Sequence, residues 1–486
     1  MLLGDLATAD LTLPEGAGTI DIAGLSADSR AIERGYLFAA LSGSATDGAR
    51  FAGDAAGRGA VAILTGRDAR LDVGLAVAVL RADDPRRVLA QMAARFHPRQ
   101  PEKLVAVTGT SGKTSVAAFV RQIFEAAGKS AASVGTIGVV SRAWTEYGNL
   151  TTPDPVTLHA TLDRLAGAGV THAAIEASSH GLDQRRLDGI RIVAAGFTNL
   201  GRDHMDYHAT VADYLGAKLR LFSAILPKDG AAVIDMDGTY AEEVAMTAAE
   251  RGQRLIRVGR KGRDIKLLGI EPDGFRQRLS LDAFGKRRDI VLPLAGAFQA
   301  SNALVAAGLA IGAGVDAETT LKALETLAGA PGRIELVGRK ANGAMIFVDY
   351  AHKPEALESV LTALRPMTRE RLVVVLGAGG DRDAGKRPLM GEVAKRLADI
   401  VIITDDNPRS EDPAAIRAAI KAGAPGAIEI GDRAGAIREA VAMLGKGDVV
   451  CIAGKGHETG QIVGAKVFEF SDHAVVRNVL AAEVAA

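Results

Sequence analysis

The residues best equipped for chemistry in this chain are Gly109, Gly112, Lys113 and Thr114, which follow the apolar run Val105–Val107. Glycines let backbone N–H groups turn onto phosphate oxygens, and a helix N-terminus adds partial positive charge at the same place. In such a loop Lys113 reaches the β- and γ-phosphates of ATP, and the Thr114 hydroxyl holds Mg²⁺. The usual phosphate loop, GxxxxGK[ST], would need glycine at position 107, where this chain has Val107. Only Thr110 and Ser111 separate the two glycines, so the loop is short. Alone, a GxxGK segment is more often a plain strand-to-helix turn. An apolar strand before it and GKT opening a helix favour ATP.

Glu176 follows Ala173–Ile175 and opens Glu176-Ala-Ser178-Ser-His-Gly181. A carboxylate there can take Mg²⁺ directly or through water, although acidic residues also end strands with no metal near them. The next apolar run, Val193–Thr198, leads into Asn199-Leu-Gly-Arg-Asp203-His204-Met-Asp206-Tyr207-His208. His204 and His208 stand at i and i+4, but imidazole pairs prefer zinc and no third ligand is evident. His204 therefore reads as a candidate ligand of a second Mg²⁺, and His208 as a structural residue. Downstream, Val211, Tyr214, Leu215, Leu219 and Phe222 form one apolar stripe of a helix, with Lys218 inside it. Two readings stand for Lys218. Its stem snorkels to water, or it lies beside a Mg²⁺ site and is carbamylated to N6-carboxylysine, which turns a metal-repelling cation into a metal-binding anion.

These residues sit at the ends of apolar strands that alternate with helical periods, the pattern of α/β folds with mostly parallel sheets and ligands at the strands' carboxyl ends. Before His97-Pro98 the chain has short β-like runs, Val61–Leu64 and Leu75–Leu80, which read as a small α/β domain over residues 1–96. A central domain with a P-loop-type parallel sheet is expected over 97–330, ending near Ala330-Pro-Gly332, and a Rossmann-like domain over 331–486. The Gly377-Ala-Gly-Gly380-Asp381 turn is not GxGxxG, which argues against a nicotinamide cofactor. At 486 residues the chain exceeds one core, in line with about three domains. Lys+Arg 58 balances Asp+Glu 58, so no global field points to nucleic acid or an anionic membrane. Cys451 is the only cysteine, which excludes an intrachain disulfide and fits a reducing compartment. With no basic leader segment and no apolar run long enough to span a bilayer, a cytoplasmic protein is expected.

The motifs resemble those of the Mur ligases, the ATP-dependent amino-acid-adding enzymes of peptidoglycan synthesis, along essentially the whole chain: GTSGKT, EASSHGL, NLGRDHMDYH, the helix lysine, GAFQASN to Asn302, APGR to Arg333, and DYAHKPE from Asp349. The resemblance implies an ATP site of Gly109, Thr110, Ser111, Gly112, Lys113, Thr114 and Ser115. Asn302 would lie on adenine, and Arg333 and His352 on the nucleotide from across a domain interface. It also implies two Mg²⁺ sites built from Thr114, Glu176, His204 and a carbamylated Lys218, with Lys113, Lys218 and His204 catalytic. Ala27, Ser29, Ser44, Ala45 and Thr46 match the family's UDP-sugar loops, although Ser44-Ala-Thr46 departs from the His-Gln pair of some members. Thr151, Thr152, Ser178, Gln184 and Arg186 match the positions that hold the nucleotide-sugar peptide.

Asp406-Asn407-Pro408-Arg409 and Gly454-Lys-Gly-His-Glu458 resemble the branch that adds meso-diaminopimelate to UDP-N-acetylmuramoyl-L-alanyl-D-glutamate. Arg409 offers a planar fork for a carboxylate and Glu458 an acceptor for an ammonium, so together they suit an amino acid with a second zwitterionic end. Arg382 joins this set by the same resemblance. The implied protein is a monomer that uses ATP and Mg²⁺ and binds neither nucleic acid nor membrane. Rival readings are a sibling ligase adding L-lysine, a folylpolyglutamate synthetase, or, from another class, a P-loop ATPase acting as a switch or motor.

Overall fold

Strands joined through helices must pair in parallel, because a helical crossover returns the chain to the same end of the sheet. The computed structural model describes residues 1–43, 46–71, 77–148, 150–201, 203–205 and 207–485. It is an α/β protein with two compact units, Met1–Arg263 with Val305–Thr320, and Asp264–Leu304 with Leu321–Ala486.

The first unit begins with β1 (Gly24–Ser26), β2 (Tyr36–Ala40), β3 (Ala62–Gly66) and β4 (Ala78–Ala82), parallel and in that order. The strand expected from Leu75 is seen from Ala78; its first residues lie outside those described. Helix Pro85–Phe96 starts on an Asp84 cap with proline at its first position. It buries Val88, Leu89, Met92 and Ala93 against Leu37, Leu64 and Leu80.

Next come β5 (Lys103–Thr108), β6 (Ala131–Gly135), β7 (Gly138–Ser141), β8 (Thr145–Glu146), β9 (His172–Glu176), β10 (Ile192–Phe197), β11 (Ala231–Asp235) and β12 (Arg254–Gly259). Their lateral order is β12-β11-β10-β5-β9-β6-β7-β8, parallel as far as β6 and antiparallel beyond it. β5 is flanked by β9 and β10, so the glycine loop after Thr108, Glu176 at the end of β9 and Asn199 after β10 are neighbours. Residues Leu104–Val107 are buried, as a parallel strand covered on both faces requires.

The second unit holds β13 (Ile265–Asp273), β14 (Arg276–Ala283) and β15 (Lys286–Leu292), an antiparallel meander. This departs from the alternation of apolar strands with helical periods expected from Leu104 to about Ala330. The signal was in the turns: Gly274 and Gly285 adopt φ 61° and 80° between strands of alternating burial. Then follow β16 (Glu335–Arg339), β17 (Met345–Asp349), β18 (Leu372–Leu376), β19 (Ile400–Ile403), β20 (Ile428–Glu429) and β21 (Val449–Ala453), in lateral order β16-β17-β21-β18-β19-β20 and parallel except for β16. β22 (Gly460–Val463) and β23 (Lys466–Glu469) form a separate hairpin. Cys451 is buried in β21. Among the described residues, no helix is long and apolar enough to cross a membrane.

Candidate active site

The glycine loop is kept short by its neighbours. Gly109 has φ 150°, and a Cβ there would lie 1.9 Å from Thr198 Oγ1, so the chain can pass that hydroxyl only as glycine. Gly112, at φ 90°, is the N-cap of helix Lys113–Ala126, whose first turn buries Thr114 and Ser115. The amide of Ser111 donates to Asn199 Oδ1 (3.1 Å), Thr198 Oγ1 donates to the Ser111 carbonyl (2.6 Å), and the Thr110 amide donates to the Asn199 carbonyl (2.9 Å). Lys113 Nζ donates to the carbonyls of Gly109 (2.8 Å) and Thr110 (3.0 Å). Neither Thr198 nor Asn199 was marked for this role in the sequence, since their partners lie some ninety residues away.

Glu176 is buried and faces Thr114, whose hydroxyl donates to Oε2 at 3.0 Å. Thr136 completes the cradle, its amide donating to Oε1 (2.8 Å) and its hydroxyl to Oε2 (3.1 Å). A Cβ on Gly135 would overlap the carboxylate, so the hairpin passes close only because that residue is glycine. These hard oxygen donors, beside a loop of amides, suit a Mg²⁺ shared with a phosphate.

Lys218 is only 1% exposed, which overturns the snorkelling alternative. Its Nζ donates to the Gly109 carbonyl at 2.8 Å and lies 4.4 Å from the Tyr214 ring centroid. Burial first, then the charge of Lys113, pushes its ammonium well below the ordinary lysine range, while Asp203 pulls weakly the other way. That direction biases Lys218 toward the neutral, nucleophilic form of the side chain. The apolar stripe is shorter than expected, for Val211 is exposed. Helix Val211–Arg220 passes into a π turn over Leu221–Ile225, and the wider turn brings both Leu221 and Phe222 inward.

His204 has φ 55°, with its Nε2 3.5 Å from the Asp203 carboxylate and its ring 4.8 Å from that of His180. His208 is buried among the rings of His180, Tyr207 and Tyr214, in keeping with a structural role. Among the described residues no three His, Cys, Asp or Glu side chains cluster as a metal site.

A hydrogen-bonded run leads away from Glu176. Thr152 Oγ1 donates to the Glu176 carbonyl (2.7 Å) and accepts from the Ser178 amide (2.9 Å), and Ser178 caps helix Ser179–Asp183. Arg186 donates to the Thr152 carbonyl (2.6 Å) and to Gln184 Oε1 (2.7 Å), while Thr151 shares a hydroxyl contact with Thr136 (3.0 Å). Thr151, Thr152, Ser178, Gln184 and Arg186 are thus joined to the Glu176 cradle. Ala27 and Thr46 are exposed in connections of the first sheet, and the buried Ser29 opens the 3₁₀ helix Ser29–Ala31; Ser44 and Ala45 lie outside the described residues.

In the second unit, Asn302 Nδ2 donates to Gln299 Oε1 (3.1 Å), and Gln299 Nε2 lies 3.5 Å from the Arg333 carbonyl. The Arg333 guanidinium stacks 4.7 Å over Tyr350, whose carbonyl is 2.9 Å from His352 Nδ1. Burial lowers His352 to about 4, so its ring is neutral at pH 7. Asn302, Arg333 and His352 are linked through Gln299 and Tyr350.

The turn after β19 holds Asp406, Asn407 and Pro408 buried, with Arg409 half-buried at φ 52°. Arg409 Nη1 donates to the Gly380 carbonyl at 2.7 Å. A Cβ on Gly379 would meet that nitrogen at 2.7 Å, and one on Gly380 would strike the Pro408 carbonyl. The glycine-rich turn after β18 therefore serves to seat the Arg409 turn. Gly454 has φ 116° and packs against the Asp406 carboxylate, and Arg382 is exposed. Glu458 Oε2 accepts from Asn407 Nδ2 (3.0 Å) and from Lys455 Nζ (2.9 Å). Lys455 was not singled out in the sequence.

Three family models match in succession: the Mur ligase family catalytic domain over residues 21–97, the Mur ligase middle domain over 107–310, and the Mur ligase glutamate ligase domain over 332–456. The chain is 58% identical over 485 residues to the UDP-N-acetylmuramoyl-L-alanyl-D-glutamate--2,6-diaminopimelate ligase of Brucella melitensis biotype 1, covering 100% of this chain and 99% of that protein. It is 54% identical to the ligase of the same name from Caulobacter vibrioides, covering 93% and 94%. A solved structure of a UDP-N-acetylmuramoyl-L-alanyl-D-glutamate--2,6-diaminopimelate ligase superposes with TM-score 0.72 at 32% identity, covering 100% of this chain and 99% of that one.

Proposed function

The chain belongs to the Mur ligase family of ATP-dependent amide ligases, and from that premise we propose that it joins meso-diaminopimelate to UDP-N-acetylmuramoyl-L-alanyl-D-glutamate, in the cytoplasm and as a monomer. Residues 1–96 hold the UDP-sugar, 97–330 the ATP, and 331–486 the amino acid. The observation that carries this reading is the hydrogen-bonded run from Thr114 through Glu176 and Thr152 to Arg186, which connects a phosphate-type loop to a polar surface suited to an acidic peptide.

A carboxylate is a poor electrophile, so ATP first transfers its γ-phosphoryl group to the side-chain carboxylate of the substrate's D-glutamate, giving an acyl phosphate and ADP. The free amine of diaminopimelate attacks the acyl carbon, the C–N bond forms, phosphate leaves with the C–O bond electrons, and the amine gives up a proton. Lys113 neutralises charge on the transferring phosphoryl group, and positioned charge supplies most of such catalysis. Mg²⁺, when bound, neutralises the phosphate oxygens. Thr114 and Glu176 would hold one ion, and His204 with Lys218 a second. For that role the neutral Lys218 amine adds to CO₂ and releases one proton, becoming a carbamate. Asn302, Arg333 and His352 contact the nucleotide. Arg409 grips the distal carboxylate of diaminopimelate and Glu458 its ammonium, with Arg382, Asp406, Asn407, Pro408 and Gly454 around them.

ADP release measured with the dipeptide nucleotide, comparing meso-diaminopimelate with L-lysine, tests the reading. Turnover with both nucleotide and meso-diaminopimelate present, and little with lysine, is expected. ATP hydrolysis that ignores the UDP-sugar would indicate a switch or motor instead, and equal use of lysine would indicate the sibling ligase.

A further inference from the structure

Lys455 is completely buried, and among the described residues its ammonium has two acceptors, Asn407 Oδ1 at 3.0 Å and Glu458 Oε2 at 2.9 Å. Asn407 is used on both sides. Its Oδ1 also accepts from the Ile462 amide (2.9 Å), while its Nδ2 donates to the same Glu458 Oε2 (3.0 Å). Two protein donors thus converge on one oxygen of Glu458. The side chain of Glu458 is 31% exposed, and its Oε1 has no hydrogen-bond partner among the described residues. The same segment holds Arg409. Its amide donates to the Ile462 carbonyl (3.1 Å), and its carbonyl accepts from the Gly464 amide (2.7 Å). Both bonds fix a left-handed conformation that a residue with a Cβ seldom adopts.

We propose that Lys455 is a positioning residue for amino-acid recognition: its buried ammonium pins Oε2 of Glu458 and orients Asn407, so that Oε1 faces an incoming ammonium and the Ile462 segment holds Arg409 toward a carboxylate. The proposal rests on the diaminopimelate reading above and adds the residue that sets its geometry. A buried charge can move only by abandoning its partners, whereas a surface lysine would exchange them for water. That makes Lys455 a stiff support for two groups that must meet the two charges of one substrate end.

Lys455→Met keeps an unbranched side chain only one atom shorter and removes its charge and donors. The KM for meso-diaminopimelate should rise by about tenfold or more, while kcat at saturation and the KM values for ATP and the dipeptide nucleotide stay within about threefold. Lys455→Gln, which retains an uncharged NH₂ donor group, should fall between Lys455→Met and the wild type. A folded Lys455→Met with an unchanged KM for diaminopimelate would overturn the proposal. So would a parallel loss in all constants, or failure of both variants to fold, since either would mark a general structural role. Wild-type protein that does not use meso-diaminopimelate would instead overturn the underlying substrate reading.

Discussion

Lys218, on helix Val211–Arg220, and Lys455, just after β21, are both buried lysines, and their surroundings give them opposite characters. Lys218 meets a backbone carbonyl, an aromatic face and a second ammonium, that of Lys113, which also bonds the Gly109 carbonyl. Lys455 meets a carboxylate and an amide oxygen. A buried charge without an anion is expensive and tends to neutralise, whereas one paired with a carboxylate persists as an ion. The first environment favours the neutral amine, and the second seats the side chain between two fixed acceptors. Residue type alone does not distinguish them.

The largest effect is expected at Lys113, for which the proposed role is to neutralise phosphate charge. Lys113→Ala should lower ligation by ~10³-fold or more with little change in thermal unfolding, because the side chain donates to carbonyls of its own loop rather than to a core element. ADP release and calorimetry on the same preparation check it, and ordinary turnover would remove ATP from the assignment.

Next comes Lys218. Arginine preserves the charge and cannot be carbamylated, so Lys218→Arg should lose roughly 10²-fold or more in kcat, with Lys218→Glu retaining more. In wild-type protein, ¹³C-labelled bicarbonate should give a carbamate signal that Lys218→Arg lacks. Normal turnover by the arginine variant would mean that the buried amine has no such role.

Arg409 tests the other side of the comparison. Its guanidinium is half-buried and, among the described residues, bonded through Nη1 alone, which leaves the rest of the fork for a carboxylate. Truncating one member of such a pair costs roughly 2–5 kcal/mol. Arg409→Ala should therefore raise the KM for meso-diaminopimelate, leave nucleotide affinity nearly unchanged, and narrow the preference over L-lysine. Retained preference in the variant would place the discrimination elsewhere.

The smallest effect concerns acid stability. His159 is buried in the first unit and lowered to about 4, mainly by desolvation. The unfolded chain binds a proton near pH 6.5 that the folded chain refuses until about pH 4, so stability falls as pH drops through this window. Its contribution is on the order of 1–3 kcal/mol. His159→Gln should make the acid-side fall in melting temperature shallower, and an unchanged slope would show that other groups set it.

Much of the site was legible in the sequence because its residues recur at the ends of apolar runs, where a parallel sheet gathers ligands. GTSGKT, Glu176 and the helix lysine could be placed on their elements, and the structure joins Thr114 to Glu176 as that placement implies. The π turn after Arg220 and the antiparallel meander were missed. The first inserts a residue without any apolar break, and the second hides among charged residues whose alternation looks like loop.

The sequence by itself determined the α/β class, the short phosphate-type loop, the helix break at His97-Pro98 and the order of the motifs, since these depend on local periodicity, glycine and proline. Only the tertiary structure decided that Lys218 is desolvated beside Lys113, that Thr136 and Gly135 cradle Glu176, that glycines 379 and 380 seat Arg409, and that Lys455 holds Glu458 by one oxygen. Most of these facts rest on contacts between residues tens of positions apart, or on which water is excluded. Such contacts set a side chain's charge and direction, and no local pattern in the chain encodes them.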